Sequence, residues 1–312
     1  MTQSAAHAQS TDSVLMIRPG RFYPNPETAA DNAFQRDASR DLDALTRVAR
    51  NEFDAAVQTL RAAGVNVHVF EDAAEPEKPD AVFPNNWIST HHDGRIALFP
   101  MYSNLRRRER RQDIVEGLRK HYRVTEVIDY SAFEDDGCYL EGTGSLVFDH
   151  LNKFAYVSLS NRSNPKIVQR FADDFGYEPV TFTSIGSNGA PIYHTNVMMC
   201  IGTAFAMVGL DVIPNKAERQ EVRARLEKTG KKIVELSADQ IANFAGNAIE
   251  LHNQGGEKQL VLSSRAGRAL TEDQRERLSR HTRLIPLELS TIELGGGSAR
   301  CMIATIHLPP RS

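Results

Sequence analysis

Hydrophobic and polar positions along the chain repeat one order of elements about every 50 residues. Residues 85–100 alternate apolar and polar side chains around an Asp-Gly pair, which is typical of two strands joined by a tight turn. A basic stretch with helical periodicity follows over residues 103–122, and the apolar run 124–129 predicts a third strand. The order strand, strand, helix, strand therefore defines one unit.

Three further units begin at Glu141, His194 and Asn247, and each again predicts a hairpin, a helix and a closing strand. A fifth begins at Gly295 with one strand-like segment, and residues 14–72 supply a strand, a long helix and another strand. We therefore expect an α/β fold: a five-bladed, pseudo-fivefold α/β propeller of ββαβ-type repeats, closed by pairing of the N- and C-terminal segments. The alternative is a generic α/β sandwich in which the spacing is coincidental.

The polar first residues predict a flexible N-terminal tail over 1–13, followed by a single propeller domain over 14–312. The tail lacks the basic and apolar regions of a signal peptide. Hydrophobic residues make up 41% and charged residues 25% of the chain, as in ordinary soluble domains. A net charge of −3 gives no reason to expect nucleic acid or an anionic membrane as a partner.

The chain contains three cysteines, which are widely separated along the sequence. This spacing predicts neither a disulfide framework nor a zinc site, and it favours a cytoplasmic location. Cys138 and Cys200 lie in apolar, strand-like surroundings and are expected to be inert packing residues. Cys301 differs because it follows three consecutive glycines, Gly295–Gly297, and such a cysteine is either a small core residue or a nucleophile presented to a pocket.

Polar residues open the predicted units, and in a radial repeat these openings point toward a common axis. A cysteine, a histidine and a carboxylate in one cavity are the parts of a nucleophilic catalyst. Cys301 would attack an electrophilic carbon, His194 would take and return the proton, and Glu141 would orient His194. Each has a structural alternative: a core cysteine, a histidine that caps a strand, and a carboxylate that bonds the amides of its own turn.

Four segments of the chain resemble the site motifs of the guanidino-group-modifying enzymes, a superfamily that includes arginine deiminase, dimethylarginine dimethylaminohydrolase and the amidinotransferases. The segments are PDAVFPNNWIST (79–90), LEGTGSLVF with FAYVSLSNRSN (140–148 and 154–164), HTNVMMC (194–200) and GGGSARCMIA (295–304). The branch that the chain most resembles is the citrulline-utilisation hydrolases, or citrulline ureidases. The resemblance implies the five-bladed pentein fold.

The same resemblance implies roles for single residues. The nucleophile of the family falls on Cys301, its histidine on His194 and the partner carboxylate on Glu141. Arg162, in SNRSN, falls where relatives bind the α-carboxylate of the substrate, a group that a guanidinium fork holds with two parallel hydrogen bonds.

One of Arg106, Arg107 and Arg108 is expected near a second such position, and we choose Arg107. The alternative for most of the basic run RRRERR is a solvated helix face.

Asparagines replace the acids with which relatives hold a guanidinium. Asn86 and its neighbour Asn85 take the place of the acids of one motif, and Asn196 that of another. Burying a cation without an opposing charge is costly, whereas a neutral ureido group matches an amide that both donates and accepts. Asn247, which opens the fourth unit, completes the expected substrate contacts. The resemblance therefore implies hydrolysis of citrulline to ornithine, ammonia and carbon dioxide.

Asp80 keeps an alternative open, because it matches an aspartate that touches the guanidinium in dimethylarginine hydrolases. The alternative is a guanidine-directed enzyme of the same fold: a deiminase, a dimethylarginine hydrolase or an amidinotransferase. A third possibility is a propeller that only binds an amino acid or a protein.

We expect no cofactor and no metal. His91, His92 and Asp93 fall in a hairpin turn and are expected to be exposed to solvent rather than to act as ligands. The expected partner is a small-molecule amino acid, and a homodimer is possible.

Overall fold

The computed structural model describes residues 8–36, 41–186 and 189–311, and within these ranges the chain forms five three-stranded sheets with helices between their strands. The strands are β1 (Ser13–Arg18), β2 (Asn66–Glu71), β3 (Ile88–Thr90), β4 (Arg95–Leu98), β5 (Glu126–Asp129), β6 (Val147–Asp149), β7 (Phe154–Ser158), β8 (Glu178–Phe182), β9 (Met199–Ile201), β10 (Phe205–Val208), β11 (Lys232–Glu235), β12 (Ile249–His252), β13 (Lys258–Ser263), β14 (Arg283–Leu287) and β15 (Ala304–Thr305). The helices are α1 (Leu42–Ala62), α2 (Asn104–Arg107), α3 (Gln112–His121), α4 (Gly142–Ser145), α5 (Pro165–Phe175), α6 (Lys216–Lys228), α7 (Ala238–Ala242), α8 (Ser264–Ala269) and α9 (Glu272–Ser279).

Four sheets share one topology. β3 and β4 form an antiparallel hairpin, and β5 returns through α3 to pair parallel with β4. The sheets β6-β7-β8, β9-β10-β11 and β12-β13-β14 repeat this pattern. The α/β class and the ββαβ order predicted from the sequence are confirmed in these sheets.

The fifth sheet combines the two ends of the chain in the order β15-β1-β2. β1 pairs antiparallel with β15, with Val14 opposite Thr305, and parallel with β2. The predicted pairing of N- and C-terminal segments is thus confirmed. Neighbouring sheets also touch: β15 contacts β3, β6 contacts β9, and β9 contacts β12.

The chain is packed before the first strand begins. The Gln9 side-chain amide donates to the backbone oxygens of Phe148 at 2.8 Å and Ile201 at 3.1 Å. The Thr11 hydroxyl donates to the backbone oxygen of Ile306 at 2.6 Å. The flexible tail predicted over 1–13 therefore does not extend through residues 9–11, because these polar groups are buried and bonded; residues 1–7 lie outside the described residues.

The longest helix, α1, shows how the apolar pattern becomes packing. Its buried positions recur every three or four residues, as in Leu45, Ala49, Phe53 and Leu60, so one face lies against β1, β2 and β14. Full burial of each large apolar side chain contributes about 1.5–3 kcal/mol. No helix in the described ranges has both the length and the apolar character to cross a membrane.

Short turns rather than long helices carry the polar unit openings. The 3-10 turns Pro84–Asn86 and Thr195–Val197 both contact α4. A further 3-10 turn, Ile292–Gly295, leads into the three glycines. Polar residues far apart in the sequence are thereby brought together.

Candidate active site

Residues from several units surround one small cavity, here named the site cavity. It is lined by Thr28, Asn32, Asp80, Phe83, Asn86, Arg106, Arg162, Tyr193, His194, Gly295, Gly296, Gly297 and Cys301. The space left for solvent is about 10 Å³, roughly what one water molecule needs. His194 and Cys301 both line this cavity, whereas Glu141 lies outside the lining and is hydrogen-bonded to His194.

Glu141 and His194 form a direct hydrogen bond. Glu141 lies just before α4 and is fully buried. Its Oε2 accepts from His194 Nε2 at 2.8 Å, and its Oε1 accepts from the backbone N–H of Tyr102 at 3.0 Å. The carboxylate makes no hydrogen bond to the amides of its own helical turn within the described structure. Its donors come instead from two other units.

The charges around this pair favour a carboxylate beside a neutral imidazole. Burial works to raise the pKa of Glu141, but the Arg162 guanidinium and the hydrogen bond from His194 outweigh it and hold that pKa well below its usual range. Burial lowers the pKa of His194, and Arg162 adds to this effect while Glu141 opposes it. At neutral pH the imidazole is therefore available to accept a proton.

Two glycines of the EGTG segment allow this close packing. Gly142 has a φ of +43°, and a Cβ there would lie 2.5 Å from the backbone oxygen of Asn85. A Cβ on Gly144 would lie 2.2 Å from Nδ2 of Asn86 and 2.8 Å from Nδ1 of His194. Neither position has room for a side chain.

Cys301 is 3% exposed, and two amide groups point at its sulfur. Asn196 Nδ2 donates to Sγ at 3.5 Å, and Asn247 Nδ2 donates at 3.3 Å. Donors directed at sulfur stabilise negative charge there. A Cβ on Gly297 would lie 3.1 Å from Cβ of Cys301 and 2.8 Å from the Phe83 ring, so the glycines let the backbone pass close to the cysteine.

Arg162 is buried in the wall of the site cavity. Its Nη2 lies 2.5 Å from Oδ1 of Asp31, and its Nη1 lies 3.6 Å from Oε2 of Glu141. The guanidinium also lies over the rings of Tyr193, at 4.5 Å, and Tyr102, at 5.5 Å. The residue thus connects the buried Glu141 with an acid nearer the surface.

Among the three arginines considered, Arg106, Arg107 and Arg108, Arg106 is the one that lines the cavity. Its Nη1 donates to Oδ1 of Asn86 at 3.0 Å, and its Nη2 donates to the backbone oxygen of Phe83 at 3.1 Å. Arg107, the choice made from the sequence, lies outside the cavity lining and donates to the backbone oxygen of Met101 at 3.0 Å. Successive helical residues are about 100° apart, so Arg106 and Arg107 point in different directions.

Two acids accompany Arg106, and one of them was missed. Asp80 Oδ2 accepts from Asn25 Nδ2 at 2.8 Å and lies 3.6 Å from Arg106 Nε; burial raises its pKa, against the opposing effect of Arg106. Glu109 binds Arg106 through both oxygens at 3.0 Å, and burial raises its pKa to about 8. The solvated face expected for most of RRRERR is thus wrong for Glu109, which is buried. Glu109 is the one acid inside that basic run, and this was the signal in the sequence by which it could have been found.

The predicted asparagines separate into two groups. Asn86, Asn196 and Asn247 lie at the cavity or on the sulfur of Cys301. Asn85 is fully buried but outside the cavity lining, and neither atom of its amide has a hydrogen-bond partner among the described residues.

The other two cysteines lie in surroundings different from those of Cys301. Cys200 is buried in β9, where burial and Glu250 raise the pKa of its thiol to about 12. Cys138 is partly exposed, and its Sγ lies 3.7 Å from the backbone oxygen of Asp136.

The exposure to solvent predicted for the hairpin turn is wrong for His91. His91 is buried, its ring lies 4.0 Å from that of Phe175, and it bonds the Ser89 hydroxyl at 2.9 Å, because the aromatic face of α5 covers the hairpin. Across the described ranges, no group of three or more His, Cys, Asp or Glu side chains is arranged to hold a metal ion.

Solved structures with the same fold act on or bind related amino acids. The N-terminal domain of ArgZ bound to substrate, an arginine dihydrolase from the ornithine–ammonia cycle in cyanobacteria, is 17% identical, with a TM-score of 0.74 over 95% of this chain and 98% of that chain. An AgrE mutant in complex with L-arginine is 15% identical, with a TM-score of 0.75 over 96% of this chain and 41% of that chain. A dimethylarginine dimethylaminohydrolase adduct with S-methyl-L-thiocitrulline is 14% identical, with a TM-score of 0.63 over 94% and 98%. At these identities the likeness shows the shared pentein fold.

No curated protein is significantly similar to this chain. The family model described as N,N dimethylarginine dimethylhydrolase, eukaryotic, matches residues 18–308 and so includes the site cavity together with Glu141, His194 and Cys301. Because that match spans nearly the whole chain, this protein belongs to the N,N dimethylarginine dimethylhydrolase family.

Proposed function

We propose that this protein is a cysteine-dependent hydrolase that acts on the ureido carbon of citrulline and releases ornithine, ammonia and carbon dioxide. The observation that carries the proposal is that the two hydrogen-bond donors at the Cys301 sulfur are neutral amides. These amides belong to Asn196 and Asn247, and the nearby Asn86 is already bonded by Arg106. A substrate guanidinium would lie near that fixed cation, whereas a ureido group adds no charge.

The chemistry follows from the contacts of these residues. His194 takes the thiol proton, and Sγ of Cys301 attacks the ureido carbon to form a C–S bond. The amide donors stabilise the negative charge that develops on the ureido oxygen. His194, held by Glu141, then protonates the leaving nitrogen as the C–N bond breaks, and ornithine departs.

Water completes the cycle. The carbamoyl group remains on Cys301 as a thiocarbamate, and His194 removes a proton from water as the water attacks its carbonyl carbon. The C–S bond breaks, the thiol regains its proton, and the carbamic acid formed decomposes to ammonia and carbon dioxide.

A second candidate function is hydrolysis at a guanidino carbon, as in the family named above and in the arginine dihydrolase with the same fold. Asp80 favours it, because burial raises the pKa of that carboxyl and a bound cation would offset the cost of ionising it. The substrate would then be arginine or a methylated arginine.

The fold proposal is a closed five-bladed propeller over residues 14–312. It is supported by the five equivalent sheets, by the pairing of β1 with β15, and by the contacts that link neighbouring sheets. In that arrangement the unit openings face one axis, where the site cavity lies.

The decisive experiment compares three substrates with the purified protein. L-citrulline, L-arginine and N,N-dimethyl-L-arginine are incubated separately, and ornithine, citrulline, ammonia and dimethylamine are measured. Cys301→Ala is the test variant, and Cys200→Ala is the matched control because it removes another buried thiol.

Ornithine from citrulline, lost in Cys301→Ala and retained in Cys200→Ala, is the expected result. Citrulline formed from arginine or from the methylated substrate would instead support the second candidate. If the wild-type protein turns over none of the three substrates, the hydrolase proposal is wrong and a binding protein remains.

A further inference from the structure

An acid of the N-terminal segment already occupies the outer side of Arg162. Oδ1 of Asp31 lies 2.5 Å from Nη2 of Arg162, and its Oδ2 accepts from Nδ2 of Asn161 at 2.6 Å. Both carboxylate oxygens are therefore held by the SNRSN loop, which is 130 residues away in the sequence.

The two partners differ in depth. Arg162 is 1% exposed, whereas the side chain of Asp31 is 26% exposed. Asp31 thus binds Arg162 from the more exposed side, whereas Arg162 and Cys301 both lie in the wall of the site cavity. A substrate whose reacting carbon meets Cys301 would present its other end to this ion pair.

The segment that carries Asp31 also fills the cavity. Asn25 donates to Asp80, Thr28 and Asn32 line the cavity, and the backbone N–H of Arg36 donates to the backbone oxygen of Leu294. With room for about one water molecule, the cavity admits an amino acid only if part of its lining moves, and that lining includes Thr28 and Asn32 of this segment. A ligand carboxylate that binds Arg162 replaces the contact between Asp31 and Arg162.

A zwitterion is the ligand that replaces this contact without leaving a charge unpaired. Its carboxylate takes the place of Asp31 on Arg162, and its ammonium group pairs with the carboxylate of Asp31. A ligand without the ammonium group displaces Asp31 and leaves it without a partner. A ligand without the carboxylate leaves the buried Arg162 short of an acceptor, and an uncompensated buried charge is strongly unfavourable.

We propose that Asp31 is a specificity-determining residue that binds the α-ammonium group of the substrate, while Arg162 binds the α-carboxylate. This inference rests on the part of the proposed function in which the site takes an α-amino acid. It holds for either side chain, ureido or guanidino. It assigns to Asp31 the rejection of acids that lack an α-amino group.

The test is calorimetric binding to full-length protein carrying Cys301→Ser, so that turnover does not interfere. The ligands are L-citrulline and 5-ureidopentanoate, which lacks only the α-amino group, together with L-arginine and 5-guanidinopentanoate. With Asp31 present, we expect the amino acid to bind at least about tenfold more tightly than its deaminated analogue, since a charge-assisted contact of this kind contributes a factor of about ten or more.

Asp31→Asn should raise the Kd of the amino acid by about tenfold and bring the ratio between the two ligands close to one. Asp31→Glu should restore part of the ratio. Glu27→Gln is the matched control, because Glu27 lies in the same segment but bonds Ser103 and Leu105; it should leave the ratio unchanged.

The outcomes separate the two proposals. If citrulline binds but Asp31→Asn leaves its Kd and the ratio unchanged, or lowers the Kd, Asp31 is a bystander or an internal competitor and this inference is wrong. If only the arginine pair binds and the ratio depends on Asp31, the ureido proposal fails and the inference stands. If no amino acid binds, both are overturned.

Discussion

Two cavities in this protein contain the same four kinds of side chain and differ in how these are connected. At the site cavity the representatives of these four kinds are Cys301, His194 and Arg162 in the lining, together with Glu141, which is bonded to His194. The second cavity, of about 50 Å³, is here named the histidine cavity, and its lining includes Cys200, His150, His307, Glu250 and Arg300.

The contacts within the two sets are different. In the site cavity the carboxylate bonds the histidine at 2.8 Å, whereas Glu250 accepts from the backbone N–H and the hydroxyl of Thr203. His307 Nδ1 has no hydrogen-bond partner among the residues described, and Arg300 donates to the backbone oxygen of Ile303. The comparison teaches that residue types alone do not define a catalytic site. The carboxylate must be directed at the histidine, and the thiol must face donors.

The largest expected difference between the cavities is in their thiols. Cys301→Ala should reduce kcat for the substrate by at least about 10³-fold, since it removes the proposed nucleophile. Cys200→Ala should change kcat by less than about threefold, and its effect should fall on stability. Product formation by the two variants measures this, and equal losses would contradict the distinction.

The second largest difference is expected between the carboxylates of the two cavities. Glu141→Gln removes the charge that orients His194, and we expect kcat to fall by about 10²–10⁴-fold. Glu250→Gln should leave kcat nearly unchanged and reduce the free energy of unfolding by about 1–2 kcal/mol. Steady-state kinetics with urea unfolding of both variants tests the pair. A kinetic defect of similar size in Glu250→Gln would show that the histidine cavity also takes part in turnover.

Acid should destabilise the protein through its buried histidines, two of which line the histidine cavity. Burial lowers the pKa of His150 and His307, and that of His91 outside this cavity, well below the ordinary value of 6.5. Below that value the unfolded chain binds protons that the folded protein does not. The free energy of unfolding should therefore fall with pH by up to about 1.4 kcal/mol per pH unit for each histidine. It should level off once the pH is below the folded-state values.

Urea unfolding between pH 7.5 and pH 5 measures this dependence. Replacing His150 and His307 together with glutamine should make the free energy of unfolding depend less steeply on pH. Replacing His194 should weaken this dependence less, because Glu141 opposes the lowering of its pKa. A curve unchanged by the double replacement would mean that other groups cause the acid sensitivity.

The smallest expected effect concerns selectivity at the sulfur. Asn196→Asp places a carboxylate beside Cys301, and it should shift the ratio of kcat/KM for arginine over citrulline upward by about tenfold. Asn85→Asp is the matched control, since Asn85 is also a buried asparagine but, within the described residues, makes no hydrogen bond to the sulfur of Cys301. Equal ratios in the two variants would mean that the amides at the sulfur do not select for a neutral group.

The sequence predicted those parts of the site that follow from repetition. The period placed Glu141 and His194 at unit openings and Cys301 shortly after the glycines that open the fifth unit, whereas the roles expected for them also came from the resemblance to the guanidino-group-modifying enzymes. The choice of Arg107 over Arg106 failed because it depends on the rotation of a helix of four residues, which a run of similar residues does not specify.

Other contacts could not be predicted from local patterns in the sequence. The burial of Glu109 depends on its pairing with Arg106 inside the fold, and in the sequence it looks like any acid in a charged stretch. Asp31 meets Arg162 only because a loop near the N-terminus crosses another unit. Long-range contacts of this kind arise from tertiary packing, which hydrophobic periodicity does not encode.

The pairing of β1 with β15 has a consequence for how the protein is made. During synthesis β1 leaves the ribosome before the other fourteen strands described, and its antiparallel partner β15 leaves after them. Until then one edge of β1 stays unpaired, which exposes it to unwanted association. Cys301 lies just before β15, so nascent chains carry Glu141 and His194 long before the thiol arrives. The proposed nucleophile therefore joins Glu141 and His194 only at the stage when the sheet of β15, β1 and β2 can be completed.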